Sequence, residues 1–277
     1  MKFGVNLMAW SGAPGPAEWS ILPELARLGY DGVEIPIFDL ATFDVAAARN
    51  ALAISGLAPT VSSAIPFGAS LTRWEQVDAG VTFLDGLIDL AARLGAYVVC
   101  GPLYAPVGEM TGTPPSDREW DTLVDGLRRV APRAQAAGVC LAIEPLNRFE
   151  THILNTAARG AELVDAVGSS AMGLLLDTFH THIEEKSVGA AIATAGARVR
   201  HFHISENDRG VVGSGQVRWD EVAAALKMVG YDGWLVAETF NGRIADLAAA
   251  TAIWRPLVES PLAYARDSLA FARRVFG

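Results

Sequence analysis

The chain has 277 residues, of which 51% are hydrophobic, and it carries a formal net charge of −9 with a pI near 5.0. This acidic balance argues against a nucleic-acid-binding surface, which requires a basic patch or stripe. The first residues lead into a strand rather than a secretory leader, and no uncharged apolar run reaches the length of a membrane span, so we expect a cytoplasmic protein that binds no membrane.

Eight short apolar segments alternate with longer amphipathic segments along the chain. This alternation predicts a parallel sheet with helices outside it, and eight units favour a closed barrel because closure leaves no exposed strand edge. The length fits one α/β domain over residues 1–277, a (β/α)8 or TIM barrel. The predicted strands are Phe3–Leu7, Gly32–Ile35, Ala58–Ser62, Tyr97–Cys100, Gly138–Ile143, Met172–Leu176, Val199–Phe202 and Trp234–Ala237.

Glycines bound several of the predicted helices. Gly56, Gly95 and Gly138 each follow a helical segment, as expected of the residue that most easily adopts the left-handed conformation after a last turn. Beyond Asn241, Ala-rich segments predict further helices that cover the barrel. The other predicted helices are Pro16–Leu28, Phe43–Ser55, Thr72–Leu94, Asp117–Ala137, Thr156–Val167, Glu184–Ala195 and Trp219–Val229.

Four predicted strands end in a side chain that can bind a metal: Glu144, Asp177, His203 and Glu238. They are spaced by about one βα unit, which is roughly 30 residues in an eightfold barrel, so all four should converge at one mouth of the barrel. Three carboxylates and one imidazole suit Mn²⁺, Mg²⁺ or Co²⁺ better than structural zinc. The alternative is that each side chain merely caps the helix that follows it.

Three more polar residues lie just beyond these strand ends. Glu150 follows Glu144 by a short loop, His180 follows Asp177, and Arg209 lies in the glycine-containing loop after the seventh strand. They are candidates for contacts with a substrate. The structural alternatives are a helix cap for Glu150, a loop hydrogen bond for His180 and a solvated charge for Arg209.

Other residues near the predicted mouth have less certain roles. Glu34 precedes the last apolar residue of the second strand, so it faces either the barrel interior or a helix, and we do not count it among the ligands. Trp10 either lines the pocket or packs in the core. The loop Gly101–Pro115, which contains Tyr104, is long enough to act as a lid.

The two cysteines do not indicate a disulfide. Cys100 is predicted near the end of one strand and Cys140 near the start of the next, so parallel pairing would place them at opposite ends of the barrel. We expect both to be reduced core residues, as is usual in the cytoplasm.

Three segments resemble ketose 3-epimerases, the family of the D-tagatose, D-allulose (D-psicose) and L-ribulose 3-epimerases. Residues 144–151, Glu-Pro-Leu-Asn-Arg-Phe-Glu-Thr, resemble the segment around the first catalytic glutamate. Leu176–His180 and His201–Gly210 resemble the second and third metal segments, and Ile253–Arg255 also matches. The resemblance covers most of the chain, and it implies a (β/α)8 fold, a divalent metal, usually Mn²⁺ or Co²⁺, and a homodimer or homotetramer.

The resemblance also implies roles for the seven candidate residues in the epimerisation of a free ketose at C3. The implied metal ligands are Glu144, Asp177, His203 and Glu238, of which Glu144 and Glu238 are also the acid and base that act through a cis-enediolate. The implied substrate contacts are Glu150, His180 and Arg209. The sequence Glu238-Thr239-Phe240 departs from the Pro-Phe or Ser-Phe that usually follows the last glutamate, and the first strand and the loop Gly101–Pro115 match less closely. These departures leave the preferred ketose open.

Several other functions remain compatible with the sequence. An aldose–ketose isomerase, or an inosose-type isomerase or dehydratase, would use the same metal site but move a proton between different carbons. A barrel endonuclease acting at abasic sites would need more histidine ligands and a basic face, whereas this chain has 5 His and a net negative charge. A catalytically silent sugar-binding barrel would not need a pair of bases. We see no glycine-rich phosphate cradle or Lys/Arg cluster in the last two loops, which favours an unphosphorylated sugar.

Overall fold

Eight short parallel strands form the centre of the molecule and close into a barrel in chain order. The computed structural model describes residues 1–277, the side chain of residue 246 excepted. The strands are β1 (Lys2–Asn6), β2 (Gly32–Pro36), β3 (Ala58–Ser62), β4 (Val98–Gly101), β5 (Cys140–Ile143), β6 (Met172–Asp177), β7 (Val199–Ile204) and β8 (Trp234–Ala237). Closure is made by β1, which pairs in parallel with both β2 and β8. The predicted (β/α)8 barrel is therefore confirmed.

Helices surround the barrel and connect successive strands. They are α1 (Pro16–Trp19), α2 (Leu22–Leu28), α3 (Val45–Ser55), α4 (Val77–Leu94), α5 (Asp117–Ala137), α6 (Ala157–Val167), α7 (Thr178–Glu184), α8 (Val188–Ala195), α9 (Trp219–Met228), α10 (Ala245–Ala250) and α11 (Pro261–Phe276). In the described part of the chain, no helix is both long and apolar enough to cross a membrane.

Two predicted helices are divided in the structure. The segment Pro16–Leu28 forms α1 and α2 instead of one helix. The segment Glu184–Ala195 belongs partly to α7, which starts at Thr178, and partly to α8, which starts at Val188. In the second case the reason is capping: the side chain of Asp177 accepts from the backbone N–H of Phe179 at 2.6 Å and starts a helix directly after β6. His180 therefore lies in a helix and not in a loop.

The first strand begins and ends one residue earlier than the sequence predicted. It ends at Asn6, whose side-chain oxygen accepts from the backbone N–H of Met8 at 2.9 Å and starts a 3₁₀ turn over Leu7–Ala9. This turn faces the mouth of the barrel, where Trp10 follows half-buried. The hydrogen bond to the Asn6 side chain thus ends the strand before Leu7, which the sequence predicted as its last residue.

The core lies mainly between the strands and the helices, and a smaller cluster fills the barrel itself. Cys100, Ala142 and Leu175 form that inner cluster, and each is fully buried. Both cysteines are free, and the register places Cys140 opposite Val98 and Cys100 opposite Ala142, so they lie at different levels of the barrel. Cys140 is only half-buried, so the prediction that it is a core residue was too strong.

Candidate active site

The C-terminal ends of the last four strands bring the four predicted ligands together. Asp177 ends β6, His203 lies in β7, and Glu144 and Glu238 directly follow β5 and β8. All four side chains are buried, and Glu144 is the most exposed of them at 6%. Pro145 ends the run of β5, because a proline disfavours helical geometry in the residue before it. The parallel topology thus collects four side chains that are distant in sequence at one mouth.

Asp177 lies at the centre of this arrangement. Its Oδ2 atom is 3.6 Å from His203 Nδ1, which is 3.3 Å from Glu238 Oε1. One possible ligand atom from each of these three residues lies within 4.8 Å of the others. Asp177 also belongs to a second such group, with Glu144 and His180. The carboxylates of β5 and β8 are therefore linked through the residue between them.

His203 offers a test of whether a cation fits. Its Nε2 lies 2.7 Å from Glu34 Oε1, whereas its buried Nδ1 has no hydrogen-bond partner among the residues that the structure describes. That Nδ1 faces Asp177 and Glu238. Ligand atoms around a small divalent cation with bonds of about 2.1 Å lie roughly 3–4 Å apart, as these do. The buried cluster of Glu, Asp and His side chains could therefore hold a divalent metal ion.

Arg209 faces the same carboxylates. Its Nη1 donates to Asp177 Oδ2 at 2.7 Å and to Glu238 Oε2 at 2.6 Å. Its guanidinium carbon lies 4.2 Å from the ring centroid of Phe179 and 4.6 Å from that of Phe240. The side chain is almost completely buried, so the alternative of a solvated charge is wrong.

Burial and neighbouring charges separate the pKa values of the carboxylates. Burial raises the pKa of Glu144 well above its ordinary value. The nearby carboxylates of Glu238 and Asp177 raise this pKa further, whereas the His203 imidazole opposes the increase. Burial acts in the same direction on Asp177, but the Arg209 guanidinium and the nearby His203 imidazole bring the pKa of Asp177 well below its ordinary value. Carboxyl groups whose pKa values are driven apart are typical of acid–base sites.

His180 is a neutral donor at the edge of the site. Burial, with help from the Arg209 charge, lowers the pKa of His180 to about 3. Its Nδ1 accepts from the backbone N–H of Asn147 at 3.1 Å, so the proton of the neutral ring is on Nε2. That Nε2 lies 3.6 Å from Glu144 Oε1 and 3.2 Å from Arg209 Nη2. His180 therefore directs an N–H group toward the space in front of Glu144.

Glu150 lies in the turn after β5 and closes the site on that side. The Asn147 side chain donates to Glu150 Oε1 at 2.7 Å, and burial raises the pKa of Glu150 in spite of the opposing Arg209 charge. Thr156 caps α6, so the alternative role of Glu150 as that cap is wrong. The structure thus brings all seven predicted residues to one mouth.

The loop Gly101–Pro115 has two different parts. Tyr104 and its neighbours are fully buried, whereas most of the tip is exposed. The backbone N–H of Gly108 donates to the carbonyl of Glu150 at 2.8 Å, so the loop is joined to the turn that carries a candidate substrate residue. Its role as a lid stays a prediction.

Glu34 and Asn6 are parts of the site that the sequence did not identify. Glu34 faces the barrel interior, where both of its oxygens contact imidazole nitrogens of His201 and His203. Burial opposes the ionised form of Glu34, but the two imidazoles bring its pKa well below the ordinary value. A polar residue inside an otherwise apolar strand was the only signal in the sequence, and it does not indicate which face of the strand is involved.

Comparison with known proteins agrees with this arrangement. Residues 22–275 match the family model described as xylose isomerase-like TIM barrel. A probable ketose 3-epimerase from Synechocystis sp. is 33% identical over 100% of this chain and 97% of its own length. An L-ribulose 3-epimerase from Mesorhizobium japonicum is 34% identical over 98% of this chain and 92% of its own length.

A solved structure shows the same similarity in three dimensions. The D-allulose 3-epimerase from Methylomonas sp., crystallised in complex with D-allulose, superposes with a TM-score of 0.94 at 30% sequence identity. The alignment covers 99% of this chain and 97% of the crystallised chain. The similarity therefore extends over the barrel, its helices and the mouth.

Proposed function

Because this chain belongs to the xylose isomerase-like TIM barrel family and, within it, to the ketose 3-epimerases, which are isomerases, we propose that it epimerises a free ketose at C3. D-tagatose, D-allulose, D-fructose and L-ribulose are the candidate substrate types. The observation that supports this most is the pair of buried glutamates, Glu144 and Glu238, which directly follow β5 and β8, the strands on either side of β6 and β7, which carry Asp177 and His203.

One divalent cation per subunit would complete this site. The proposed ligands are Glu144, Asp177, His203 and Glu238, with Mn²⁺ as the first candidate and Co²⁺ or Mg²⁺ as alternatives. When bound, the cation would polarise the C2 carbonyl of the ketose and acidify the hydrogen on C3. The mixture of carboxylate oxygens and one imidazole matches the preference of these ions.

The two glutamates are proposed to move the C3 proton. One carboxylate removes the proton from one face of C3, leaving the substrate as a cis-enediolate, and the other carboxyl returns a proton from the opposite face. These two proton transfers invert the configuration at C3 and leave C1 and the ketone unchanged.

Arg209, His180 and Glu150 are proposed to hold the sugar. The Arg209 guanidinium and the Nε2–H of His180 are donors that face the same space, so they suit the carbonyl and hydroxyl oxygens at the reacting end. Glu150 is an acceptor for a hydroxyl. Fixed donors of this kind orient a substrate without reorganising during the reaction.

Exchange with solvent hydrogen tests the proposal. The enzyme, loaded with Mn²⁺, is incubated with D-allulose, D-tagatose, D-fructose or L-ribulose in D₂O, and the sugars are recovered for NMR after removal of the metal. We expect deuterium at C3 and a product that is the C3-epimeric ketose.

The same spectra separate the alternative functions. Deuterium at C1 together with an aldose would indicate the aldose–ketose isomerase. A separate incubation with an inosose tests the dehydratase, for which loss of water would be the indication. The absence of exchange from every ketose in the panel would contradict the proposal.

A further inference from the structure

Glu34 lies beneath the site and is fully buried. It is on β2, and it contacts Nε2 of His203, the ring nitrogen opposite the one that faces Asp177 and Glu238. A substrate at the mouth would contact Asp177 and Glu238, and Glu34 lies on the other side of the His203 ring. This position indicates that Glu34 holds the ring and does not contact the substrate.

Five polar groups converge on the two oxygens of Glu34. They are His201 Nε2 at 2.6 Å, His203 Nε2 at 2.7 Å, Asn6 Nδ2 at 2.9 Å, Thr60 Oγ1 at 3.0 Å and Cys100 Sγ at 3.3 Å. An ionised carboxylate only accepts hydrogen bonds. Each imidazole must therefore present its Nε2–H to Glu34, which leaves Nδ1 of His203 free to bind a cation.

Asn6 extends this support to Glu238. The backbone N–H of Met8 donates to Asn6 Oδ1 at 2.9 Å, so the amide orientation is fixed and Nδ2 must point the other way. That Nδ2 lies 2.9 Å from Glu34 Oε1 and 3.1 Å from Glu238 Oε1. The amide thus links the buried carboxylate of β2 to a proposed catalytic carboxylate.

We infer that Glu34 is a positioning residue for the metal site, because it fixes the tautomer and ring orientation of His203 and, through Asn6, the orientation of Glu238. The inference rests on the proposed function, since it assumes that His203 Nδ1 binds the cation. A carboxylate that accepts from the second nitrogen of a metal-binding histidine orients the ring and makes it more basic.

The same cluster is not well arranged to be a second metal site. Glu34, Cys100, His201 and His203 offer ligand atoms within 4.8 Å of one another. However, the distances of 2.6 and 2.7 Å between Glu34 and the two imidazoles are hydrogen bonds, and ligand atoms around a shared cation would lie roughly 3 Å apart or more. Burial also raises the pKa of the Cys100 thiol, and a thiol binds metal as the thiolate.

The experiment measures Mn²⁺ affinity without sugar or turnover. Free Mn²⁺ is followed by its EPR signal while wild type, Glu34→Gln and Glu206→Gln are titrated. Glu206 is a matched control, because it is also a fully buried glutamate, but it accepts from the backbone of Gly213 and Val217 and from Trp219 Nε1. We expect the Kd to rise roughly 10–100-fold in Glu34→Gln, as is usual when such a support is lost, and to stay at the wild-type value in Glu206→Gln.

The outcomes distinguish the inference from the function on which it rests. Equal Kd values for wild type and Glu34→Gln, with tight binding in both, overturn the role of Glu34 and leave the proposed function intact. A wild type that binds no Mn²⁺, Co²⁺ or Mg²⁺ overturns both. An equal loss of affinity in Glu206→Gln would mean that any buried carboxylate matters, which also overturns the inference.

A second measurement on the wild type does not depend on the folding of the variant. The protein is labelled with ¹⁵N-histidine, saturated with diamagnetic Mg²⁺, and examined by long-range ¹H–¹⁵N correlation. We expect the proton of the His203 ring on Nε2. A proton on Nδ1 of the Mg²⁺-saturated enzyme overturns the inference.

Discussion

Arg209 supplies the positive charge closest to the carboxylates of the site, and its backbone is unusual. Its φ of 63° lies in the left-handed region, which side chains other than that of glycine adopt at a cost of about 1–3 kcal/mol. The Thr239 hydroxyl donates to the Arg209 carbonyl at 2.6 Å, and the rings of Phe179 and Phe240 contact the guanidinium. This backbone geometry directs the side chain into the mouth.

We predict that Arg209→Ala weakens the binding of the sugar and leaves the metal in place. A hydrogen bond from a charged donor contributes about 1.5–3 kcal/mol, so the KM for the ketose should rise roughly tenfold or more. Initial rates and the Mn²⁺ content of the purified protein measure the two effects. Arg129→Ala is the control, because Arg129 makes a surface ion pair with Asp78. Loss of Mn²⁺ in Arg209→Ala would show that this residue belongs to the metal site itself.

At the level of single residues, the sequence identified the ends of strands better than their interiors. Glu144 and Glu238 were predictable because each follows an apolar run and lies about one βα unit from the next candidate. Glu34 was not, because every residue of β2 is buried, and the two faces of such a strand have the same hydrophobic pattern. Its histidine partners lie on β7, at a distance in sequence that no local pattern can span.

Among the elements, the predicted strands agree with the structure to within about two residues at either end, whereas the helices around the sixth strand do not. The sequence predicted one helix after a loop, and the structure has α7 and α8. Asp177 explains the error, because the same carboxylate faces the metal candidates and caps α7. A residue with two such roles has no distinct signature in the hydrophobic pattern.

We predict that Gly32→Ala strongly destabilises the barrel at β2. A Cβ atom at this position would lie 2.2 Å from the carbonyl oxygen of Ala58 and 2.5 Å from Trp234, so neighbouring strands would have to separate. Overpacking of this kind costs about 1–3 kcal/mol or more. Urea unfolding measures the change, and Gly15→Ala is the control, because its Cβ would meet no atom within 4 Å. A Gly32→Ala barrel as stable as the control would show that β2 and β3 can move apart freely.

The whole molecule is expected to respond to its metal. A ligand that binds only the folded state stabilises it by RT ln(1+[L]/Kd), which is about 2.7 kcal/mol at a concentration of 100 Kd. Chelation should therefore abolish activity and lower the Tm, and Mn²⁺ or Co²⁺ should restore both. The Tm of His203→Ala should respond much less to Mn²⁺. Full activity in a preparation verified to be free of metal would contradict the proposed site.

The fold as a whole was predictable because periodicity, length and strand count all pointed to the same closed sheet. Assembly beyond the single chain stays a prediction, a homodimer or homotetramer. Phe149, on the turn next to Glu150, is 71% exposed, and Trp74 is 74% exposed. Single exposed aromatics of this kind are normal on the surface of a folded chain.

The supporting residues and the proposed ligands come from different halves of the chain. Asn6, Glu34, Thr60 and Cys100 lie on β1 to β4, whereas the ligands lie on or directly after β5 to β8. During synthesis, Glu34 leaves the ribosome long before His201 and His203, the groups that compensate its charge. Asn6, Thr60 and Cys100 can donate to Glu34 from the first half. A buried charge without its counter-charge is strongly unfavourable, so we expect the first four units to reach their final packing only when β7 is present. The hydrogen bonds that hold His203 in place thus also make the folding of the first four units depend on β7.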